Sequence, residues 1–102
     1  MIDIALIVAG TITQMPNPGH QAWDIACPAN ASVYAAFDGE VRVHRSVELG
    51  NQVTLIGDGR NALYAHLESS IENGTVKKGD VIGTCGNSGT WTTGRHLHFE
   101  VY

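Results

Sequence analysis

Short runs of alternating apolar and polar residues, separated by glycine, asparagine and aspartate, constrain the fold of this chain most strongly. The runs GEVRVH, QVTLI, ALYAHL and HLHFEV all have this character. Alternation with a period of two is typical of strands with one buried face, and GDGRN predicts a glycine-rich hairpin loop. Only ESSIEN indicates a helical turn. We therefore predict an all-β fold, a small antiparallel two-sheet sandwich or barrel-like domain.

Length and charge exclude several classes of protein. The 102 residues are enough for one hydrophobic core, so we predict a single domain over residues 1–102. A net charge of −4 argues against a nucleic-acid partner, which would need clustered basic residues. No stretch approaches the roughly 18 apolar residues of a membrane span, so we expect no membrane insertion. We expect the chain to act as a monomer.

The apolar segment IALIVAG near the amino end resembles the centre of a signal peptide. Asp3 precedes it and the first basic residue is Arg42, so the positive region of such a signal is missing. We interpret the segment as a buried strand and expect no export signal. Cys27 and Cys85 lie far apart and form no metal-binding pair, which favours two small buried thiols and leaves a disulfide open.

The histidines and one aspartate indicate a site. His20 and Asp24 stand in HxxxD, His66 lies at the end of ALYAHL, and His96 and His98 form HxH. A catalytic zinc ion takes three ligands from imidazole and carboxylate and keeps one position open. Each motif is weak alone, but together they favour a metal site. The fifth histidine, His44, shares the polar face of its strand with Arg42 and is interpreted as a surface residue.

The HxH run shows how one strand can serve two purposes. His96, His98 and Glu100 point to one face of a strand, while Leu97, Phe99 and Val101 point to the other. One histidine can bind a metal while its neighbour works on water or substrate, because the unperturbed pKa of imidazole lies near neutral pH.

The segments HQAWDIACPANASVYAAFDGEV, LYAHL, VKKGDVIGTCGNSG and GRHLHFEV follow in an order that resembles the lysostaphin-type (LytM-like) zinc metallopeptidases. The resemblance covers about four-fifths of the chain, with both HxxxD and HxH intact. It implies the family fold, an antiparallel β domain with a groove that holds the metal. It also implies one Zn²⁺ per chain, bound by His20, Asp24 and His98.

The resemblance further implies that His66 and His96 are metal-free catalytic histidines. His96 is expected to act as the base and His66 to stabilise the oxyanion, a division that the sequence leaves open. Glu100 is expected either to support His98 or to be an exposed residue. Trp91 and Tyr64 are expected to line the groove, with core packing as the alternative for Tyr64. The substrate implied is peptidoglycan, whose peptide cross-links the family hydrolyses outside the cytoplasm.

Other functions remain open at this stage. The fold could serve a catalytically silent wall-binding protein or an activator of other hydrolases. VKKGDVIG also resembles the turn of biotinyl and lipoyl carriers, but their modified lysine lies at a hairpin tip, whereas Lys77 and Lys78 precede a turn into a strand. Phosphocarriers share a related sandwich with facing histidines, but they do not need Asp24 beside His20. Because no export signal is expected, a phage lysin, carried by a virion or released at lysis, is one route to the wall.

Overall fold

The computed structural model describes residues 6–17, 22–57, 59–89 and 94–102. No helix within these ranges is long and apolar enough to cross a membrane. The described residues form nine strands: β1 (Thr11–Gln14), β2 (Trp23–Ala26), β3 (Ser32–Tyr34), β4 (Gly39–Ser46), β5 (Gly50–Ile56), β6 (Asn61–Ser70), β7 (Gly74–Val76), β8 (Val81–Cys85) and β9 (His96–Val101).

Every pairing between these strands is antiparallel. The order along the main path is β1-β2-β9-β6-β5-β4-β7, and β8 joins β6 to β3. The sheet is open, with β1 and β7 at the two ends of the path. The predicted all-β antiparallel class is confirmed, and β6, which pairs with β5, β8 and β9, joins the strands into one branched hydrogen-bonded sheet.

The branch in the sheet lies in the middle of β6. Residues 62–65 pair with β9, whereas Leu67, Ser69 and Ser70 pair with β8. His66 lies between the two halves and has a φ of 64°, a left-handed conformation that is uncommon outside glycine. The pairing of β6 with β5 shifts register across this residue, and the pairing with β8 shifts just after it, between Leu67 and Ser69. A β-bulge at His66 therefore redirects β6 from one partner strand to the other.

The core lies on the face of β9 that carries Leu97 and Phe99, both fully buried. Tyr64, directly opposite Phe99 in the β6–β9 ladder, is buried and its ring centroid lies 5.0 Å from that of Phe99. Its hydroxyl accepts a hydrogen bond from the Ala36 amide at 2.9 Å and donates to the Tyr34 carbonyl at 3.3 Å. Burial raises the pKa of Tyr64 above its usual value, so the phenol stays neutral.

Three predictions about local structure are wrong. ESSIEN forms no helical turn, because residues 68–70 extend β6 through their pairing with β8. The segment IALIVAG does not form a regular strand over its described residues: Ile7 and Val8 are buried, but only Val8 makes a bridge, to Val33. Cys27 and Cys85 are not free thiols but form a disulfide between the residue after β2 and the last residue of β8.

We expect the double substitution Cys27→Ala, Cys85→Ala to lower the free energy of unfolding by about 4 kcal/mol. The disulfide closes a loop with a sequence separation of 58, and the chain-entropy account of cross-links gives that magnitude. Urea unfolding of the variant and of the wild type with and without a reductant measures the loss. An unfolding midpoint that reductant leaves unchanged would contradict a stabilising disulfide.

We expect Tyr64→Phe to lower the free energy of unfolding by about 1–3 kcal/mol, because the buried Ala36 amide loses its acceptor. Tyr102→Phe is the matched control, since Tyr102 is 64% exposed and should change stability by less than about 0.5 kcal/mol. Equal unfolding midpoints for the two variants would show that the Tyr64 hydroxyl contributes nothing.

Candidate metal centre

The candidate site is assembled by the register between β2 and β9. In this ladder Asp24 lies directly opposite His98, and Ala26 lies opposite His96. Directly opposed residues of an antiparallel pair project to the same face. Ile25 and Leu97, the pair between them, project to the other face and are buried in the core. The register therefore brings the aspartate of one motif to the histidines of the other.

The spacing of Asp24 and His98 fits a shared metal ion. Asp24 Oδ1 lies 3.4 Å from His98 Nδ1, and the two side chains are 19% and 17% exposed. Two ligands of a tetrahedral zinc ion with bonds of about 2.0 Å lie roughly 3.3 Å apart. The carboxylate oxygen and the imidazole nitrogen thus have the chemistry and the separation of two zinc ligands.

Glu100 fixes the protonation of His98. Its Oε1 lies 2.7 Å from His98 Nε2, so this nitrogen carries the proton and donates to the carboxylate. The other ring nitrogen of His98, Nδ1, faces Asp24 Oδ1. A carboxylate behind a histidine ligand is the common arrangement in zinc sites, where it orients the ring and raises its basicity. Of the two alternatives for Glu100, support of His98 or simple exposure, this contact favours support of His98.

His96 is held by a backbone carbonyl in the same manner. Its Nδ1 lies 2.8 Å from the Gly94 carbonyl oxygen, which can only accept, so Nδ1 donates. Its other ring nitrogen, Nε2, lies 3.7 Å from Asp24 Oδ1. At that distance His96 lies beside the Asp24–His98 pair and can take up a proton next to a carboxylate.

His66 is the most deeply buried of the three, with 2% exposure. Its Nδ1 donates to the Ser88 carbonyl oxygen at 2.6 Å, and its ring centroid lies 4.9 Å from that of His96 and 5.9 Å from that of His98. Burial lowers the pKa of His66, and the hydrogen bond to Ser88 opposes that shift without cancelling it. At pH 7 the ring is therefore neutral, with Nε2 as an acceptor.

A cleft of about 340 Å³ opens beside Asp24 and His96. This volume falls in the range of small-ligand sites, which is roughly 300–1,000 Å³. Thr13 and Gln14 of the edge strand β1 form one wall, and Gly94 and Arg95 contribute another. Substrate can therefore reach the two side chains from one side, while the core closes the other.

The structure brings four of the five predicted site residues together: Asp24, His66, His96 and His98. His20, the third expected ligand, lies outside the described residues, as does Trp91. Within the described part of the chain no group of three or more His, Cys, Asp or Glu residues could hold a metal. Asp24 and His98 alone are too few ligands for such a site, and the ligand set that includes His20 stays a prediction.

The other candidates are placed clearly. Tyr64 lies in the core and does not line the cleft. His44 is exposed, with Nε2 3.0 Å from Thr54 Oγ1, and its interpretation as a surface residue is confirmed. The sequence reasoning missed the carbonyl groups of Ser88 and Gly94, which orient two of the imidazoles. A backbone carbonyl has no side-chain signature, so no residue type could have revealed them.

Residues 18–102 match peptidase family M23. A curated relative, the DD-carboxypeptidase/endopeptidase Mpg of Neisseria meningitidis serogroup B, is 39% identical over 84 residues. The aligned region is 79% of this chain but only 19% of the relative, so the chain spans about a fifth of that protein's length.

Two solved structures show the same fold. A zinc-containing peptidase from Vibrio cholerae superposes with a TM-score of 0.76 at 31% identity, covering 98% of this chain and 34% of that one. The catalytic domain of lysostaphin from Staphylococcus simulans gives a TM-score of 0.75 at 27% identity, covering 90% and 74%. The resemblance to lysostaphin-type peptidases, inferred from the motifs, is confirmed.

We expect Glu100→Gln to weaken zinc binding about 10- to 100-fold, because a neutral amide no longer raises the basicity of the His98 ring. Competition with a chromophoric zinc chelator measures the affinity. Glu72→Gln is the control, since Glu72 is exposed and outside the site. Equal zinc affinities for the two variants would show that Glu100 does not support a metal ligand.

Proposed function

The chain belongs to peptidase family M23, and on that premise we propose that it is a zinc-dependent endopeptidase that hydrolyses peptide cross-links of bacterial peptidoglycan. The observation that carries this proposal is the Asp24–His98 pair, 3.4 Å apart at the edge of a cleft and flanked by two further imidazoles. The curated relative is named for DD-carboxypeptidase and endopeptidase activities, and one structural neighbour is a zinc-containing peptidase. Both names support the assignment.

Zinc is the proposed cofactor, one ion per chain, with Asp24, His98 and His20 as its ligands. Bound there, the ion would supply an activated water molecule and a Lewis acid for the scissile carbonyl group. The chain's own contribution is the orientation of the ligands: Glu100 accepts a hydrogen bond from His98 Nε2, so that Nδ1, which faces Asp24, is the nitrogen that would bind the ion.

His96 and His66 are the proposed proton-transfer residues. His96 Nε2 accepts the proton of the attacking water, and the imidazolium that forms is stabilised by the Asp24 carboxylate 3.7 Å away. His66 Nδ1 is committed to Ser88, so His66 can donate to a developing oxyanion only from Nε2, when it carries a second proton. Negative charge on the substrate favours that second proton, because it offsets the burial that lowers the pKa of the free ring.

The disulfide supports a site of action outside the cytoplasm. Disulfides form and persist in oxidising compartments and are rare in the cytosol, and Cys27–Cys85 joins strands on which the site depends. Peptidoglycan also lies outside the cytoplasm, so substrate and redox environment agree. Release at lysis or carriage by a virion remains a proposal for how the protein reaches the wall.

We expect purified protein with zinc to release new amino termini from peptidoglycan, identified by mass spectrometry, and to stop doing so with a chelator. His96→Ala should lower the rate by roughly 10²–10⁴-fold, the usual contribution of general acid–base catalysis. His44→Ala is the matched control, because His44 lies on an exposed strand outside the site. Glycine-bridged and directly cross-linked walls are used in parallel, so that the products identify the bond.

Intact walls in the presence of zinc-loaded protein would contradict the proposal and favour a silent binding or activating protein of the same fold. Against that alternative, Asp24, His66, His96 and His98 are all retained and lie together. A carrier domain would bind no zinc at all. Zinc content and hydrolysis together therefore separate the three functions.

A further inference from the structure

The stretch GNSG, residues 86–89, is not among the residues that line the described cleft. It does contact His66, through the carbonyl group of Ser88. We propose that Ser88 is a positioning residue for His66: its side chain holds its own carbonyl group in place, and that carbonyl sets the tautomer and the orientation of the imidazole.

Two hydrogen bonds hold the Ser88 hydroxyl between neighbouring strands. The hydroxyl donates to the Leu67 carbonyl of β6 at 2.7 Å and accepts from the Asn51 amide of β5 at 3.0 Å. Leu67 follows His66 in the chain, so the same short segment of β6 carries the imidazole and anchors the serine. The carbonyl group of Ser88 is thereby fixed 2.6 Å from His66 Nδ1.

Two glycines allow this approach of backbone to backbone. A Cβ atom at Gly50 would collide with the carbonyl carbon and the hydroxyl of Ser88, and one at Gly89 would collide with the Glu48 carbonyl oxygen. Both glycines have left-handed φ values, 66° and 95°. The turn before β5 and residues 86–89 therefore pack without intervening side chains, which brings the Ser88 carbonyl within reach of a buried ring.

The backbone of His66 is held by the same turn. Its amide donates to the Leu49 carbonyl at 2.9 Å, and its φ of 64° is a costly conformation for a residue with a side chain. Such conformations persist where the surroundings over-determine them, and they concentrate at functional sites. Leu49 thus fixes the backbone of His66 while Ser88 fixes its ring.

The side chain of Asn51 provides a matched structural comparison. Its Nδ2 donates to the Leu67 carbonyl at 3.2 Å and to the Glu68 carbonyl at 3.3 Å, so it joins β5 to the same segment of β6. It makes no contact with the His66 ring among the described hydrogen bonds. Asn51→Ala therefore removes the side-chain hydrogen bonds that join the two strands but keeps the backbone N–H of residue 51, which donates to the Ser88 hydroxyl. Ser88→Ala instead releases the carbonyl group that orients His66.

The first readout is the tautomer of His66, measured by ¹H–¹⁵N correlation of the imidazole nitrogens in the zinc-loaded protein. We expect a single tautomer protonated at Nδ1 in the wild type and in Asn51→Ala, and a mixture of tautomers in Ser88→Ala. The same single tautomer in Ser88→Ala would overturn the proposal, as would an equal mixture in Asn51→Ala.

The second readout rests on the proposed peptidase function. Ser88→Ala should lower kcat about 10- to 100-fold, the usual cost of a catalytic group displaced by up to an ångström, with zinc content and KM unchanged. Asn51→Ala should keep kcat near the wild-type value. If the wild type hydrolyses nothing, the proposed function fails, and the tautomer measurement still tests the positioning role.

A second pair of variants keeps the test decisive if Ser88→Ala does not fold. Gly50→Ala places a methyl group against Ser88, whereas Gly79→Ala imposes a left-handed φ of 90° on alanine with nothing within 4 Å of the new atom. Only Gly50→Ala should disturb the His66 tautomer and kcat. Equal effects of the two glycine variants would attribute the change to backbone strain and overturn the proposal.

Discussion

The register of β2 against β9 is the constraint on which the rest of the site depends. It places Asp24 opposite His98, with oxygen and nitrogen 3.4 Å apart, and it places Ile25 opposite Leu97 in the core. A slip of one residue in either strand would turn the apolar side chains of that strand out of the core and separate the two candidate ligands. The hydrophobic effect therefore enforces the geometry of the Asp24–His98 pair, because the same ladder that buries Ile25 and Leu97 aligns Asp24 with His98.

The bulge at His66 connects that ladder to the rest of the sheet. Before it, β6 pairs with β9, and after it, β6 pairs with β8. A strand without the bulge could not pair with β9 and then with β8. In such a strand residue 66 would point to the same face as Tyr64, which is in the core. The left-handed conformation removes His66 from that alternation and brings its ring within 4.9 Å of His96. The topology of the sheet and the placement of a catalytic candidate thus have one cause.

The sequence alone predicted the features that depend on the local pattern of residues, such as which side chains share a face of a strand. The alternation in HLHFEV placed His96 and His98 opposite Leu97 and Phe99, and the burial of that strand bears it out, although Val101 at the chain end is 40% exposed. Pairing partners are not local, so neither the β2–β9 register nor the Cys27–Cys85 disulfide could be derived from spacing. The prediction of a helical turn for ESSIEN failed because the segment pairs with β8, whose residues lie more than ten positions away in the sequence and leave no local sign. The left-handed φ of His66 is likewise set by Leu49 and Ser88, which no pattern around position 66 shows.

The three imidazoles share one arrangement that explains how a small chain builds such a site. Each is anchored through one nitrogen to an oxygen that can only accept: Glu100 for His98, the Gly94 carbonyl for His96 and the Ser88 carbonyl for His66. In the neutral form of each ring the second nitrogen carries a lone pair, which can bind a metal ion or a proton. The proposed function as a zinc peptidase needs both kinds of binding. The oxygen partners thus determine the chemistry of the histidines, and two of those partners are backbone atoms that the fold, rather than a residue type, supplies.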